Sequence, residues 1–242
     1  MDNAVTEDTA DNKPRHHEME DEFHRFWEMV EPYTLTNIER GYGLYKAIDY
    51  VCHNGIDGGF VECGVWRGGS SMLAALTFLS RGNSPDFFLY DTFSGMSEPT
   101  EKDRDAETGQ PAFARWKNYK KEGKEGNVNW CYASLDEVKT SMSRTGYPER
   151  LVHYRIGKVE DTLPDPEQKS VAILRLDTDW YESTKWELEN LFPRLVPGGV
   201  LIIDDYGHWA GARQAVDEYV AENDVRILLN RLDYTGRIGV KA

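Results

Sequence analysis

The stretch Val61–Ser71, VECGVWRGGSS, decides how the rest of the chain is read. It leaves an apolar run, passes Gly64, Gly68 and Gly69, and enters a helical pattern over Ser70–Ser80. Glycines at a strand-to-helix turn let the backbone approach a ligand closely, and the helix N-terminus supplies amide donors. The spacing is G-x-x-x-G-G rather than the G-x-G-x-x-G of dinucleotide folds, which weakens a nicotinamide reading. Outward from this stretch, FVECG, FFLYD, LVHYRIG, VAILRLD and VLIIDD are short apolar runs, as in strands covered on both faces. Helical patterns lie between most of them, at Ser70–Ser80, Leu135–Arg144, Glu182–Leu195 and Ala212–Glu222. Strands alternating with helices predict βαβ crossovers and a parallel sheet, hence an α/β fold. VRILLN and GRIGVKA, joined by a short turn-like segment, predict a terminal antiparallel hairpin.

Ahead of this pattern, residues up to about Glu18 are polar and acidic and read as a disordered tail, with His16 and His17 solvated at its end. Phe23, Phe26, Trp27 and Val30 fall at helical spacing. Thr36 and Glu39 form a capping-box pattern that opens a helix through Leu44, Ile48 and Val51, stopping near Asn54–Gly55. Residues 19–242 therefore read as one domain with N-terminal helices. The polar segment Ser94–Trp130 is too long for a plain connection, and we expect a functional flap or lid there.

The 242 residues carry 42 acids against 28 bases, a formal charge of −14 that repels a phosphate backbone and argues against nucleic acid as a partner. The lysines at 117, 120, 121 and 124 are interrupted by Glu122 and Glu125 and read as a solvated face. Cys52, Cys63 and Cys131 show no metal-like spacing and read as free thiols of a reducing compartment. Neither a membrane-length apolar run nor a signal-peptide pattern is present, so the expectation is a soluble, cytoplasmic protein without a membrane partner.

Asp91 ends the strand after the glycine loop, where such folds place an acid that accepts from ribose hydroxyls. The plainer alternative is that Asp91 caps the following turn. Glu62 is a carboxylate inside a strand that should be apolar, and it needs a partner such as a ligand's amino group or a loop amide. Asp177, Asp204 and Asp205 also fall at strand ends. Acids converging there repel unless a cation compensates, and Mg²⁺ suits an all-oxygen set. The competing reading is that Asp177 and the Asp204–Asp205 pair cap the helices that follow. Asp179 reads as a fourth ligand, a base or, most simply, an N-cap, and His208 as a proton acceptor or a hydrogen-bonded bystander. Trp180 and Trp209 either wall a pocket or belong to the core.

Taken together, FVECGVWRGGSS, LYDTFSGM, GKVEDTLP, LDTDWYEST and LIIDDYGHW resemble the macrocin O-methyltransferase family, the metal-dependent sugar O-methyltransferases of macrolide and aminocoumarin biosynthesis. The resemblance runs from about Leu35 to Tyr219. It implies a class I, Rossmann-like S-adenosylmethionine-dependent methyltransferase fold, with a seven-stranded, mostly parallel sheet into which the last strand inserts antiparallel. It implies that the cofactor lies against Glu62, Gly64, Val65, Trp66, Gly68, Ser70, Asp91, Thr92 and Ser94, with Glu160 and Asp161 beside the adenine. Asp177, Asp204 and Asp205 match the family's metal acids, Asp177 also its proposed base, and His208 lies near the metal. Thr178 and Trp180 stand where glycine and Met or Leu are frequent, which alters the expected acceptor pocket. The implied acceptor is a sugar hydroxyl of a glycoside or nucleotide-sugar, and the implied assembly a homo-oligomer. Rival readings are a catechol-type O-methyltransferase, an NAD-linked oxidoreductase and a non-catalytic nucleoside-binding protein.

Overall fold

A computed structural model of the chain describes residues 18–124 and 126–242. The expected acidic tail up to Glu18, with His16 and His17, therefore lies almost wholly outside the described residues. Seven strands form one sheet: β1 Gly59–Cys63, β2 Phe87–Asp91, β3 Val152–Ile156, β4 Val171–Leu176, β5 Leu195–Ile203, β6 Asn230–Arg231 and β7 Arg237–Val240. Their order is β3-β2-β1-β4-β5-β7-β6, so the order reverses between β1 and β4. β1 to β5 pair in parallel, and β7 enters antiparallel to β5 and β6.

The helices are α1 Asp21–Val30, α2 Ile38–His53, α3 Gly69–Ser80, α4 Ala112–Glu122, α5 Leu135–Ser143, α6 Val159–Thr162, α7 Tyr181–Leu191 and α8 Ala210–Glu222. One apolar layer joins α1, α2 and α3 to one face of the sheet through residues such as Phe23, Leu44, Ile48, Phe60, Met72 and Phe87. A second layer packs α7 and α8 on the other face, through Leu188, Leu191, Val216 and Tyr219 against Val61, Leu174 and Leu201. Every residue of β4 is buried, including Arg175 at 3% exposure. That fits a strand covered on both faces.

Three sequence expectations change. The capping box is displaced by one residue: α2 begins at Ile38, its N-cap is Asn37, and the Asn37 side chain accepts from the Arg40 amide. Thr36 Oγ1 is instead buried without a hydrogen-bond partner. The terminal hairpin exists, but its first arm pairs only at Asn230 and Arg231, and residues 225–229 are irregular. The helix expected over Glu182–Leu195 ends at Leu191, where a short 3-10 turn containing Pro193 leads into β5. Pro193 has no amide hydrogen with which to continue an α-helical ladder.

The segment 94–130 is folded rather than an open loop. Asp103 is fully buried and accepts from the Tyr181 amide at 2.8 Å, so it satisfies the first turn of α7 from a distance. Asp179, the expected cap, does not fill that role: the N-cap of α7 is Trp180, with no side-chain cap bond. Trp116 and Trp130 of the segment pack with Trp180 and Trp209 in a separate aromatic cluster.

Candidate active site

The parallel register lines up the ends of four strands. Cys63 of β1 faces Tyr90 of β2 and Leu176 of β4, and Leu176 faces Ile203 of β5. The next residues along are Gly64, Asp91, Asp177 and Asp204, all at the carboxyl edge beside the point where strand order reverses, where open α/β sheets bind ligands. Gly64 is there for packing as well as for its positive φ. A Cβ on it would sit 1.9 Å from the Asp177 carbonyl oxygen, so no other residue fits.

A single cleft runs over this edge and spans about 1300 Å³ including the open space at its mouth. One limb is lined by Glu62, Gly64, Val65, Trp66, Ser70, Asp91, Thr92 and Glu160. The other is lined by Asp177, Asp179, Asp204, Asp205, His208, Trp209, Trp130, Arg40, Leu35 and Tyr234. Gly68, Ser94 and Asp161, expected at the cofactor, are not among the lining residues. Gly68 serves as the left-handed N-cap of α3, and the Ser94 carbonyl accepts from the Val128 amide. Three residues of the lining, Trp66, Cys131 and Asp179, hold positive φ without being glycine (47°, 50° and 70°). Such strain gathers where a site demands a particular side-chain direction.

In the first limb Asp91 does two jobs already. Oδ2 accepts from the Val65 and Trp66 amides at 2.7 and 3.1 Å, which fixes the glycine loop, and Oδ1 accepts from the Phe93 amide at 2.7 Å, which caps the following turn. Burial raises its carboxyl above the ordinary value and these amides oppose that rise. With two amides already on Oδ2, Oδ1 is the oxygen with acceptor capacity left for a hydroxyl donor entering the cleft.

Within the chain, Glu62 finds its partners in two side chains rather than a loop amide. Its Oε1 meets the Arg175 guanidinium at 2.7 Å and its Oε2 accepts from Ser71 Oγ. Arg175 then reaches Asp177 Oδ2 at 2.7 Å and Asp204 Oδ1 at 2.6 Å. Arg40 of α2 contacts the other oxygen of Asp204 and lies 3.1 Å from Asp233. Sequence reasoning missed both arginines, although the lone arginine inside VAILRL was a visible signal, since an unpaired buried charge is costly.

This pairing separates the acids. Carboxylate oxygens of Asp177, Asp179 and Asp205 lie within 4.8 Å of one another. Asp204 turns instead to the guanidiniums, so the structure gathers Asp179 where the resemblance had Asp204. Asp205 Oδ2 is buried with no hydrogen-bond partner, and Asp205 makes no side-chain cap to α8. Burial lifts Asp177 and Asp205 well above the ordinary carboxylate range, with neighbouring acids adding to it, and lifts Asp179 to about 7. An orphaned carboxylate oxygen inside an all-oxygen cluster fits a hard divalent cation. His208 stands at the rim, its ring 4.7 Å from that of Trp209, and burial lowers its pKa. Trp180 and Trp209 are both buried and stack edge-on at 5.0 Å, and Trp209 also lines the cleft. Wall and core coincide there.

The sheet order, the antiparallel last strand and the ligand edge define the fold of class I S-adenosylmethionine-dependent methyltransferases. The solved O-methyltransferase NovP superposes with a TM-score of 0.74 at 28% identity, over 87% of this chain and 82% of NovP. The calicheamicin methyltransferase CalS11 shares the fold at a TM-score of 0.61 and 15% identity, over 95% of this chain and 94% of its own. The macrocin O-methyltransferase family model matches residues 3–238, and the chain belongs to that family. A relative from Streptomyces olivaceus, named as an 8-demethyl-8-(2,3-dimethoxy-alpha-L-rhamnosyl)-tetracenomycin-C 4'-O-methyltransferase, is 33% identical over 88% of this chain and 76% of its own. The demethyldecarbamoylnovobiocin O-methyltransferase of Streptomyces niveus is 29% identical over 84% of this chain and 74% of its own. The protein is thus an O-methyltransferase.

Proposed function

We propose that the protein transfers the methyl group of S-adenosylmethionine to a sugar hydroxyl of a glycosylated natural product, with a divalent ion, most simply Mg²⁺, at the acid cluster. The observation that carries this reading is the continuity of one cleft from the glycine loop and Asp91 to Asp177, Asp179 and Asp205. A relative whose name specifies a rhamnosyl-tetracenomycin substrate supports a sugar acceptor. Leu35 and Tyr234, 65% and 58% exposed at the cleft mouth, offer an apolar rim for the body of such a glycoside.

Asp177, Asp179 and Asp205 hold the ion, and Asp91 accepts from the cofactor's ribose. When bound, the ion supplies Lewis-acid stabilisation of the charge that develops on the attacking oxygen. Asp177 is tied to Arg175, whereas Asp179 has no guanidinium partner. With no guanidinium committed to it, Asp179, rather than Asp177, is the acid of the cluster freer to take the hydroxyl proton. His208, which lines the same limb, can pass that proton to solvent. Trp130 and Trp209 close the sides of this limb and exclude water, and the folded 94–130 segment that supplies Trp130 is the lid. Near-attack placement of oxygen and methyl, ~3–3.5 Å apart, then provides several kcal/mol of the barrier.

The test is calorimetric titration with S-adenosylmethionine with and without Mg²⁺, followed by turnover on a panel of a rhamnosyl glycoside, a nucleotide-sugar and a catechol. Tight cofactor binding and metal-dependent turnover of the glycoside are expected. Turnover of the catechol alone, or no cofactor binding, would defeat the reading.

A further inference from the structure

We infer that Arg40 is a positioning residue: by gripping Asp204 and Asp233 it sets the geometry of the acid cluster that takes the metal, without itself being a ligand of the metal. The inference rests on the metal reading above. Arg40 belongs to α2, outside the strand–helix alternation that builds the sheet. Its guanidinium contacts one oxygen of Asp204 while Arg175 holds the other at 2.6 Å. Both oxygens of Asp204 are thereby committed to guanidiniums. The Asp204 carbonyl in turn accepts from Thr235 Oγ1 at 2.8 Å. Asp204 is thus pinned at side chain and backbone, and the peptide that follows carries Asp205, whose Oδ2 has no partner of its own.

The far end of the grip lies in the turn between β6 and β7. Arg40 Nε lies 3.1 Å from Asp233 Oδ2 as an ion pair whose N–H is not aligned for a hydrogen bond, and the Asn37 side chain donates to the same oxygen at 2.7 Å. Asp233 Oδ1 accepts from the Thr235 and Gly236 amides at 3.0 and 2.6 Å, which shapes the turn bearing Thr235. Arg40 therefore joins three segments far apart in sequence at one point beside the cluster. Charge supports the assignment: two guanidiniums face Glu62, Asp177, Asp204 and Asp233, so the pairing neutralises only part of the acid and leaves Asp179 and Asp205 for an ion. A planar fork can serve two carboxylates at once, which a lysine's point charge does poorly.

The ion pairs of Arg40 run to Asp204 and Asp233, both on the acceptor side of the cleft, so the two limbs should respond differently when it is changed. The experiment compares the full-length protein with Arg40→Gln, Arg40→Lys and Asp233→Asn. Mn²⁺ affinity is read by electron paramagnetic resonance, S-adenosylhomocysteine affinity by calorimetry, and melting temperature alongside. Supporting groups around metal ligands typically govern about 10–100-fold in affinity. Arg40→Gln is expected to weaken Mn²⁺ by roughly tenfold or more while S-adenosylhomocysteine stays within about twofold, with Arg40→Lys between Gln and the parent. Unchanged Mn²⁺ affinity would overturn the inference. So would a parallel loss of both affinities with a lower melting temperature, which would mark Arg40 as merely structural. Should Arg40→Gln fail to fold, Asp233→Asn decides alone: a selective loss of Mn²⁺ affinity supports the inference and no change overturns it. Failure of the unsubstituted protein to bind Mn²⁺ would overturn the metal reading and this inference together.

Discussion

The two limbs of the cleft are built on opposite plans. The cofactor limb is built largely on backbone: a glycine loop, a helix N-terminus and the Asp91 carboxylate, which orders the loop by accepting from Val65 and Trp66. The acceptor limb is long-range and charged, and draws Arg40, Trp130, Arg175, Asp179, Asp205 and Tyr234 from separate parts of the chain. A site made of backbone amides is set once its local turn forms. A site made of like charges holds together only when guanidiniums or a cation offset the repulsion. The acceptor limb should accordingly be the part sensitive to metal, pH and distant substitution.

The sharpest way to break this contrast is Asp205→Asn. It should remove most metal affinity, with a loss above the roughly 100-fold reached through supporting groups, and leave S-adenosylmethionine affinity nearly intact. Calorimetry with each ligand checks this, and equal loss of both would show that the limbs are not separable. The converse is Asp91→Ala, which removes charged hydrogen bonds worth ~1.5–3 kcal/mol. Cofactor affinity should fall roughly 10–100-fold while Mn²⁺ affinity holds. A third, smaller effect is the pH response. Asp179 is held near 7 against an ordinary 3.8, so the folded, metal-free protein keeps a proton that the unfolded chain has already released. Its contribution to stability therefore falls as pH rises from about 4 to about 7, because the folded state binds more protons across that window. Apparent Mg²⁺ affinity should rise over the same window and level off above it, since ion and proton compete. Melting curves with and without Mg²⁺ from pH 5 to pH 8 test both. The smallest effect is at the N-cap: Asn37→Ala should lower stability by ~1 kcal/mol, read by chemical denaturation, whereas Thr36→Val should not destabilise.

The same division explains what could be read from sequence. β1, β2, β4 and β5 were legible because strands covered on both faces leave uninterrupted apolar runs. Gly64, Asp91 and Asp177 were legible because each lies one step past such a run. Asp179 and Asp204 were harder. Adjacent acids look alike in a string, and only the φ of 70° at Asp179 and the arginines around Asp204 decide which carboxylate turns where. Within 94–130, α4 gave little periodic signal because it buries only Ala112 and Trp116, and the stretch before it is held by single long-range contacts. Asp103 bonds to the α7 terminus, and the Trp116 and Trp180 indoles donate to the Met96 and Ser97 carbonyls. The capping box failed for a simple reason: Asn37 competes with Thr36 for the same role and sits one residue nearer the helix.

The missing Cβ of Gly64 carries a lesson for redesign. With the Asp177 carbonyl oxygen 1.9 Å from where that atom would be, the floor of the cofactor limb and the threshold of the acceptor limb are one wall. A library that varies the loop after β4 to accept new sugars will move this wall, so apparent changes in acceptor preference will arrive mixed with changes in cofactor affinity. Screening such variants at saturating methyl donor would separate the two, and diversity placed at Leu35 and Tyr234, on the outer rim, would avoid the wall altogether.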